Sequence, residues 1–437
     1  MSKEVSAKRI KRNVMLSVAA QAVSLLVGFV LNLVVPKFID ELNYSLWQAF
    51  VLYLTYVGIL HFGLLDGLML RYAQDDYEEL DKERISSQFQ VLLGMTSLFC
   101  LIGIGIACFL TGPAQWILIY VSLGIVTKNV FTFNSYLLQV TNRINGYARL
   151  FIAQRISFGL LAVLLLVAGV GDFRWFCIVD LLGDVIGCLI CLPLNRGLYF
   201  TRVQNRGLFR EETAENIRCG ISLLLANWAS MFLLGSARMV IQWRWDILLF
   251  GKISFAFSLT NLVLALITAV SVVLFPSLKR MPEENLPAFY QRMRGVLMPF
   301  LLVCIWLYFP GCWLLEQWLP KYAESLKYLG MLMPLIVYSS MIGLMTNNYL
   351  KAYRMEGTLR RINLISLAVG IVGFLFFAYV LGSEEGVVLW AVAVTAARAV
   401  VSEWKVCQRL GLDFRKRQLL ELLVSVVFVL IAINIKF

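Results

Sequence analysis

Five basic residues stand inside long apolar stretches of this chain: Lys128, Arg155, Arg238, Lys252 and Arg398. An ionisable group in a bilayer core costs about 2.5–3.5 kcal/mol on insertion scales and faces a cavity or a partner. Lys128 is twelve residues into its apolar stretch and Arg398 eleven into its own. At about 1.5 Å of rise per helical residue, both come near a bilayer midplane. There they would attract an anionic group such as a phosphate or an acidic sugar. Asp180 and Asp184 are one helical turn apart on a shared face, placed to balance charge or to carry a coupling ion. Arg155 lies toward the inner end of its stretch. Arg238 and Lys252 lie toward outer ends, from which a long side chain snorkels to the interface. His61 is the single histidine, a residue type whose ordinary pKa suits proton handling. Asn227, with Gln242, Asn261 and Asn347, offers neutral hydrogen bonds to sugars. The expectation is a cavity of net positive charge for an anionic substrate. The alternative is that Lys128, Arg398 and the aspartates neutralise one another as structural ion pairs.

No Walker loop, His-Glu-x-x-His or nucleophile–histidine pair occurs in the sequence, so neither a catalytic residue nor a cofactor is expected. Cys188 and Cys191 are spaced like half a metal site, but no second pair or nearby histidine completes it. They read as small buried residues, and no metal is expected. Energy for transport would come from an ion gradient, the substrate's own gradient or the membrane potential, the last worth about 2.3 kcal/mol per charge per 100 mV.

The elements that position these residues are membrane helices. The chain is 60% hydrophobic and 15% charged, where a soluble domain carries about 25% charge. Apolar runs near the roughly 20 residues of a transmembrane helix recur along the whole length. They fall at 14–36, 44–66, 87–110, 116–138, 149–170, 175–194, 218–241, 248–275, 295–316, 326–350, 362–382 and 387–407, with a further candidate at 419–435. Ser2 to Arg12 is basic, but the run after it is too long for a signal peptide and reads as the first membrane helix. Of the 39 lysines and arginines, 28 fall in one alternate set of connections, including Lys8, Arg9, Lys11 and Arg12, and 6 in the other. That bias predicts a cytoplasmic N-terminus. It also assigns the net charge of +12 to loops rather than to nucleic-acid binding. Trp228, Trp243, Trp245, Trp313 and Trp318 read as interfacial belt residues.

One pattern occurs twice. Arg143, Gly146 and Arg149, and Arg354, Gly357 and Arg360, both form Arg-x-x-Gly-x-x-Arg, 211 residues apart. Each follows an Asn/Tyr/Leu stretch at the end of one span and opens the next, so a tight glycine turn with cationic flanks is expected. Six spans separate the copies, an even number, which predicts parallel repeats. The expected organisation is an N-terminal six-helix lobe at 1–194, a basic linker at 195–217 and a C-terminal six-helix lobe at 218–407. A basic loop and a possible thirteenth helix occupy 408–437. The connection at 71–86 is acidic, with Asp75 and Asp76 among its carboxylates, and reads as a solvated surface or a gate contact to the basic loops.

The second span ends Phe62-Gly63-Leu64-Leu65-Asp66-Gly67-Leu68-Met69-Leu70-Arg71-Tyr72. This resembles the Phe-Gly-Leu … Arg-Tyr signature of polysaccharide exporters of the multidrug/oligosaccharidyl-lipid/polysaccharide (MOP) superfamily. The repeated arginine turns, and Phe275-Pro276 closing the eighth span, fit the same resemblance, which covers roughly residues 10 to 407. It implies two six-helix lobes around a V-shaped cavity that alternates its access. For the O-antigen flippase branch it implies a cargo of short glycan on polyprenyl pyrophosphate, turned from the cytoplasmic to the outer leaflet of a bacterial inner membrane. Lys128 and Arg398 would contact the pyrophosphate or acidic sugars, with Arg155, Arg238 and Asn227 in support. Asp180, Asp184 and His61 would balance charge or couple an ion. Asp66, Arg71 and the two arginine turns would serve the gate. The partners implied are the lipid-linked oligosaccharide, membrane lipids and polysaccharide polymerase machinery. The chain departs from the family at Ala237, where an acidic residue often precedes the arginine, and at His61, where Asp is frequent. The rival readings are a multidrug cation antiporter of the same superfamily and a non-transporting scaffold of a glycan-assembly complex.

Overall fold

The computed structural model describes residues 21–72, 77–199, 201–205, 207–280 and 282–435, with backbone alone over 268–280. Lys8, Arg9, Lys11, Arg12, the start of the 14–36 span, Asp75, Asp76, Arg206 and Lys436 lie outside the described residues, as do the side chains of Phe275 and Pro276. The described chain is helical throughout. Its elements are α1 (Gln21–Phe38), α2 (Glu41–His61), α3 (Leu64–Arg71), α4 (Lys82–Ala107), α5 (Pro113–Val140), α6 (Ile144–Val167), α7 (Phe173–Tyr199) and α8 (Gly207–Arg244). There follow α9 (Ile247–Arg280), α10 (Glu283–Trp318), α11 (Pro320–Leu332), α12 (Pro334–Ala352), α13 (Glu356–Val380), α14 (Glu384–Leu410) and α15 (Arg415–Asn434). Among the described residues 11 helices are long and apolar enough to cross a membrane, or up to 13 when the bent pairs α2/α3 and α11/α12 each count as one span. Large apolar side chains such as Leu101, Phe109, Val167, Val372 and Leu420 are exposed on their faces, as lipid-facing positions are. The chain is a multi-pass membrane protein.

Packing divides it into two compact units, Met1–Trp228 and Ala229–Phe437, with the boundary inside α8. The stretch 195–217, read from sequence as a linker, is helical at both ends, because α7 runs to Tyr199 and α8 starts at Gly207. The physical reason is an amphipathic face of unusual composition. Leu208, Glu212, Asn216 and Gly220 recur every fourth residue and are all buried, so a polar segment still packs as a helix.

In the first unit the second span breaks between α2 and α3 with a bend of 60°. Phe62 (φ 50) and Gly63 (φ 86) are both left-handed, which ends one helix and restarts another in a new direction. The α3 segment then lies directly on the α8 backbone. A Cβ on Gly67 would stand 1.9 Å from the Asn216 carbonyl oxygen, and one on Gly220 2.0 Å from that of Gly63. Small residues let two backbones approach this closely, and no larger side chain fits between them.

The two arginine turns are alike, but not in the way the motif predicts. The left-handed residues are Asn142 (φ 51) and Arg354 (φ 54). Asn142 N–H donates to Gln139 O and Arg143 N–H to Leu138 O. In the second turn Arg354 N–H donates to Lys351 O and Met355 N–H to Leu350 O. These are matching helix C-terminal caps, with the residue after the helix left-handed. They align Asn142 with Arg354, one residue out of step with the Arg-x-x-Gly-x-x-Arg register. Gly146 and Gly357 make no turn, because each lies in the first turn of the following helix. Gly146 serves packing, since a Cβ there would meet Leu138 and Leu194 at 2.9 and 3.1 Å. Around Gly357 nothing lies within 4 Å.

Gly67→Val is therefore expected to force α3 off α8 and cost about 1–3 kcal/mol or more, seen as a lower melting temperature of the purified protein. Gly357→Ala should melt like wild type. Equal melting of wild type and Gly67→Val would refute the backbone contact.

Candidate functional site

In the first unit, α5, α6 and α7 assemble an ion cluster. Lys128 Nζ lies 3.2 Å from Asp180 Oδ1 and 2.9 Å from Asp184 Oδ2. The two aspartates sit one turn apart on α7 and point the same way. Gln154 of α6 donates to Asp184 Oδ1 at 3.2 Å, and Thr127 Oγ1 to Asp184 Oδ2 at 3.5 Å. The Asp184 side chain is 1% exposed and Lys128 26%. The ionised residues carry a formal charge of −1, the reverse of the positive centre expected around Lys128. A buried excess negative charge calls for a proton or a cation. Beside the cluster an apolar cavity of about 290 Å³ is lined by Thr127, Asn134, Cys188 and Tyr199 among others.

In the second unit Arg398, midway along α14, is buried. Its Nη2 donates to Ser230 Oγ at 2.7 Å and Nη1 to the Ser230 carbonyl at 3.4 Å. Its Nε has no hydrogen-bond partner, and among the described residues no carboxylate lies within 4 Å of the guanidinium. Five donors in a fixed fork, answered by one serine, leave donor capacity of the kind an anion can fill.

The remaining sequence candidates are scattered. Arg155 is half-buried on α6, and its Nε lacks a partner. Arg238 donates to Ser254 Oγ at 3.3 Å and lies 5.8 and 5.9 Å from the Phe250 and Phe257 ring centres. Lys252 pairs with Glu324. Asn227 is exposed on α8. His61 Nε2 is 3.8 Å from Asp66 Oδ2, both residues buried at the α2/α3 break. Arg71 bonds Glu212 and Asn216, each at 2.8 Å, and Arg84 reaches the same Glu212 at 3.1 Å, tying α3, α4 and α8 together. Arg143 clamps the end of α7 through Leu194 O (2.8 Å) and Asn195 Oδ1 (2.7 Å), with Tyr77 stacked on it at 3.9 Å. Arg149, Arg354 and Gly357 are exposed, and Arg360 is half-buried.

A second cluster escapes sequence reasoning. Arg294, counted there among loop residues, is fully buried in α10. It bonds Glu403 of α14 at 2.6 and 3.1 Å and Glu421 of α15 at two distances of 2.9 Å. Tyr290 and Gln418 donate to the same Glu403 at 2.9 and 2.7 Å. The signal available in the sequence was a lone glutamate inside each of two apolar stretches. It gives no hint of which arginine answers them.

No family model and no curated protein matches the chain. Its fold, however, is that of solved transporters. A multidrug resistance MATE family transporter of the MOP superfamily, in an inward-facing conformation, superposes with a TM-score of 0.68 at 15% identity, covering 90% of this chain and 98% of that one. The lipid II flippase MurJ in an inward closed conformation gives 0.63 at 14% identity, covering 96% and 98%. A MATE structure in complex with MaD3S gives 0.58 at 13%, covering 92% and 95%. The all-helical polytopic fold of MOP-superfamily transporters is thus shared over nearly the whole chain.

Removing the arginine from the second cluster leaves two buried carboxylates unanswered. Arg294→Met should cost about 3–5 kcal/mol, read as a large fall in melting temperature in detergent. Adding Glu403→Gln and Glu421→Gln to that variant should restore most of the loss. An Arg294→Met protein that melts like wild type would show that the cluster does not hold α15 in place.

Proposed function

We propose that the protein is a flippase for an anionic lipid-linked oligosaccharide. In this reading a polyprenyl-pyrophosphate-linked unit of O-antigen or a similar surface polysaccharide passes from the cytoplasmic to the outer leaflet by alternating access. The membrane is a bacterial inner membrane, with the N-terminus in the cytoplasm as the basic loops predict. The observation that carries the reading is Arg398, a buried guanidinium held by one serine and by no carboxylate among the described residues. A pyrophosphate oxygen would complete its fork. Lys128, already paired with Asp180 and Asp184, contributes less to cargo binding than its depth in the span implied. Its cluster serves charge balance or ion coupling instead. Lobes at 1–194 and 218–407 acting as moving bodies, and association with polymerase machinery, belong to the same proposal.

A second reading has its own observation. The Lys128–Asp180–Asp184 cluster is acidic on balance and its Asp184 is buried, which suits a cation-coupled or cation-exporting multidrug antiporter. Pairing with Asp180 and Asp184 takes Lys128 out of the count against a cation exporter, whereas Arg398 still counts against it.

Complementation separates the two. Arg398→Ala, at normal membrane abundance, is expected to abolish surface glycan and trap lipid-linked glycan on the cytoplasmic side. Arg398→Lys, which keeps the charge but loses the fork, should recover part of the export. Full glycan export by Arg398→Ala, or a drug-sensitivity phenotype without a glycan defect, would favour the antiporter.

A further inference from the structure

The break in the second span is built around the chain's one histidine. His61 Nδ1 accepts a hydrogen bond from Gly63 N–H at 3.2 Å, spanning left-handed Phe62. A neutral imidazole that accepts at Nδ1 carries its proton on Nε2, and this nitrogen faces Asp66 Oδ2 at 3.8 Å. That carboxylate oxygen is buried and has no hydrogen-bond partner. His61 and Asp66 are each 4% exposed.

Among the described residues no further charged group pairs with His61 or Asp66. From α5 comes the Tyr136 phenol, close enough to sense the charge on Asp66, and from α4 Phe99 packs on Phe62. Beyond Arg84, α4 carries no charged residue, and Cys100 is its one titratable group near the break. From α8 the contact at the break is the backbone of Gly220 and Ile221. Glu212 and Arg71 are bound to each other further along. The arms on either side are anchored separately: α3 on α8 through Gly63, Gly67 and Gly220, and α2 on α7 through Trp47 and Phe176.

We propose that His61 and Asp66 form a proton-binding site that sets the bend of the second span. With one proton fewer, His61 is neutral and its Nδ1 holds Gly63 N–H, fixing the break. When His61 takes up a proton at Nδ1, both ring nitrogens become donors and the bond to Gly63 N–H is lost. The Nε2–H then closes on the unpartnered Asp66 carboxylate as an ion pair. A single proton thereby exchanges a backbone hold for a side-chain pair, and α2 is freed to change its angle to α3. Applied to transport, this makes the pair a coupling-proton site. That last step rests on the transport reading, whereas the site itself does not.

Because His61 is the sole histidine, the test is direct. Protein purified with a non-histidine tag, labelled with ¹⁵N-histidine and placed in nanodiscs, gives one imidazole to titrate from about pH 5 to 8. The expected result is an Nε2–H tautomer at the alkaline end and uptake of one proton on acidification. In Asp66→Asn the midpoint should move to lower pH by about one unit or more, since the carboxylate that favours imidazolium is gone. Hydrogen exchange at Gly63, corrected for the intrinsic pH dependence, should accelerate as wild-type His61 is protonated and lose that dependence in His61→Gln. A neutral Nδ1–H tautomer, an unchanged midpoint in Asp66→Asn, or Gly63 exchange indifferent to His61 protonation would each overturn the proposal. These readouts use no cargo, so their failure is distinct from failure of glycan export.

Discussion

The constraint on which this structure depends is that a charge removed from water has to be answered nearby. In a hydrocarbon environment an unpaired ion costs several kcal/mol, and solvent cannot supply the partner. The described ionisable groups within the helices meet that demand in different ways. Lys128 is shared by two aspartates. Arg294 gathers two glutamates from helices far apart in sequence. His61 and Asp66 face each other at a distance too long for a hydrogen bond. Arg398 is given a single serine. In the first two every charge has an opposite partner, though each set keeps a formal charge of −1, and the last two have bonding capacity left over. Capacity left over in a buried site is where a ligand or a proton enters.

The same constraint explains which positions hold shape and which are free to work. Arg294 joins α10, α14 and α15 by charge-assisted bonds at 2.6 to 3.1 Å. Breaking one partner of such a set is far costlier than never having built it, so the cluster fastens α15 rather than exchanging ligands. Arg71 with Glu212, and Arg143 with Leu194 and Asn195, do similar work at helix ends. Two of the cationic residues read as gate elements, Arg71 and Arg143, are thus committed to local structure. They retain the positive character of those connections while spending their donors on neighbouring helices.

Much of the fold was legible because hydropathy and helix length report the same physical fact. Every span read from sequence has a helical counterpart, including the bent second and tenth spans and the 419–435 segment, now α15. What periodicity could not convey was partnership. For Lys128 the sequence left a cargo contact and an ion pair with Asp180 and Asp184 both open, because a linear sequence does not place α7 beside it. Arg294 was assigned to a loop because hydropathy penalises it, whereas its carboxylates draw it into the helix. Glycine misled in another way. In the arginine turns it suggested a left-handed residue, yet Asn142 and Arg354 take that conformation. The glycines whose role is steric, Gly67 and Gly220, gave no sign of that role in the sequence, since what they accommodate is another helix's backbone.

Arg398 and the His61–Asp66 pair differ in what they can accept. A guanidinium stays charged across physiological pH, so an unfilled fork selects for an anion and does not discriminate by proton concentration. An imidazole beside a carboxylate does the opposite, changing state with one proton and offering little to a bulky anion. In the proposed flippase the guanidinium would hold the cargo and the imidazole would register a driving ion. Here they lie in different units, Arg398 in Ala229–Phe437 and the pair in Met1–Trp228. The acidic Lys128 cluster belongs to the same unit as the pair, and the unanswered guanidinium to the other.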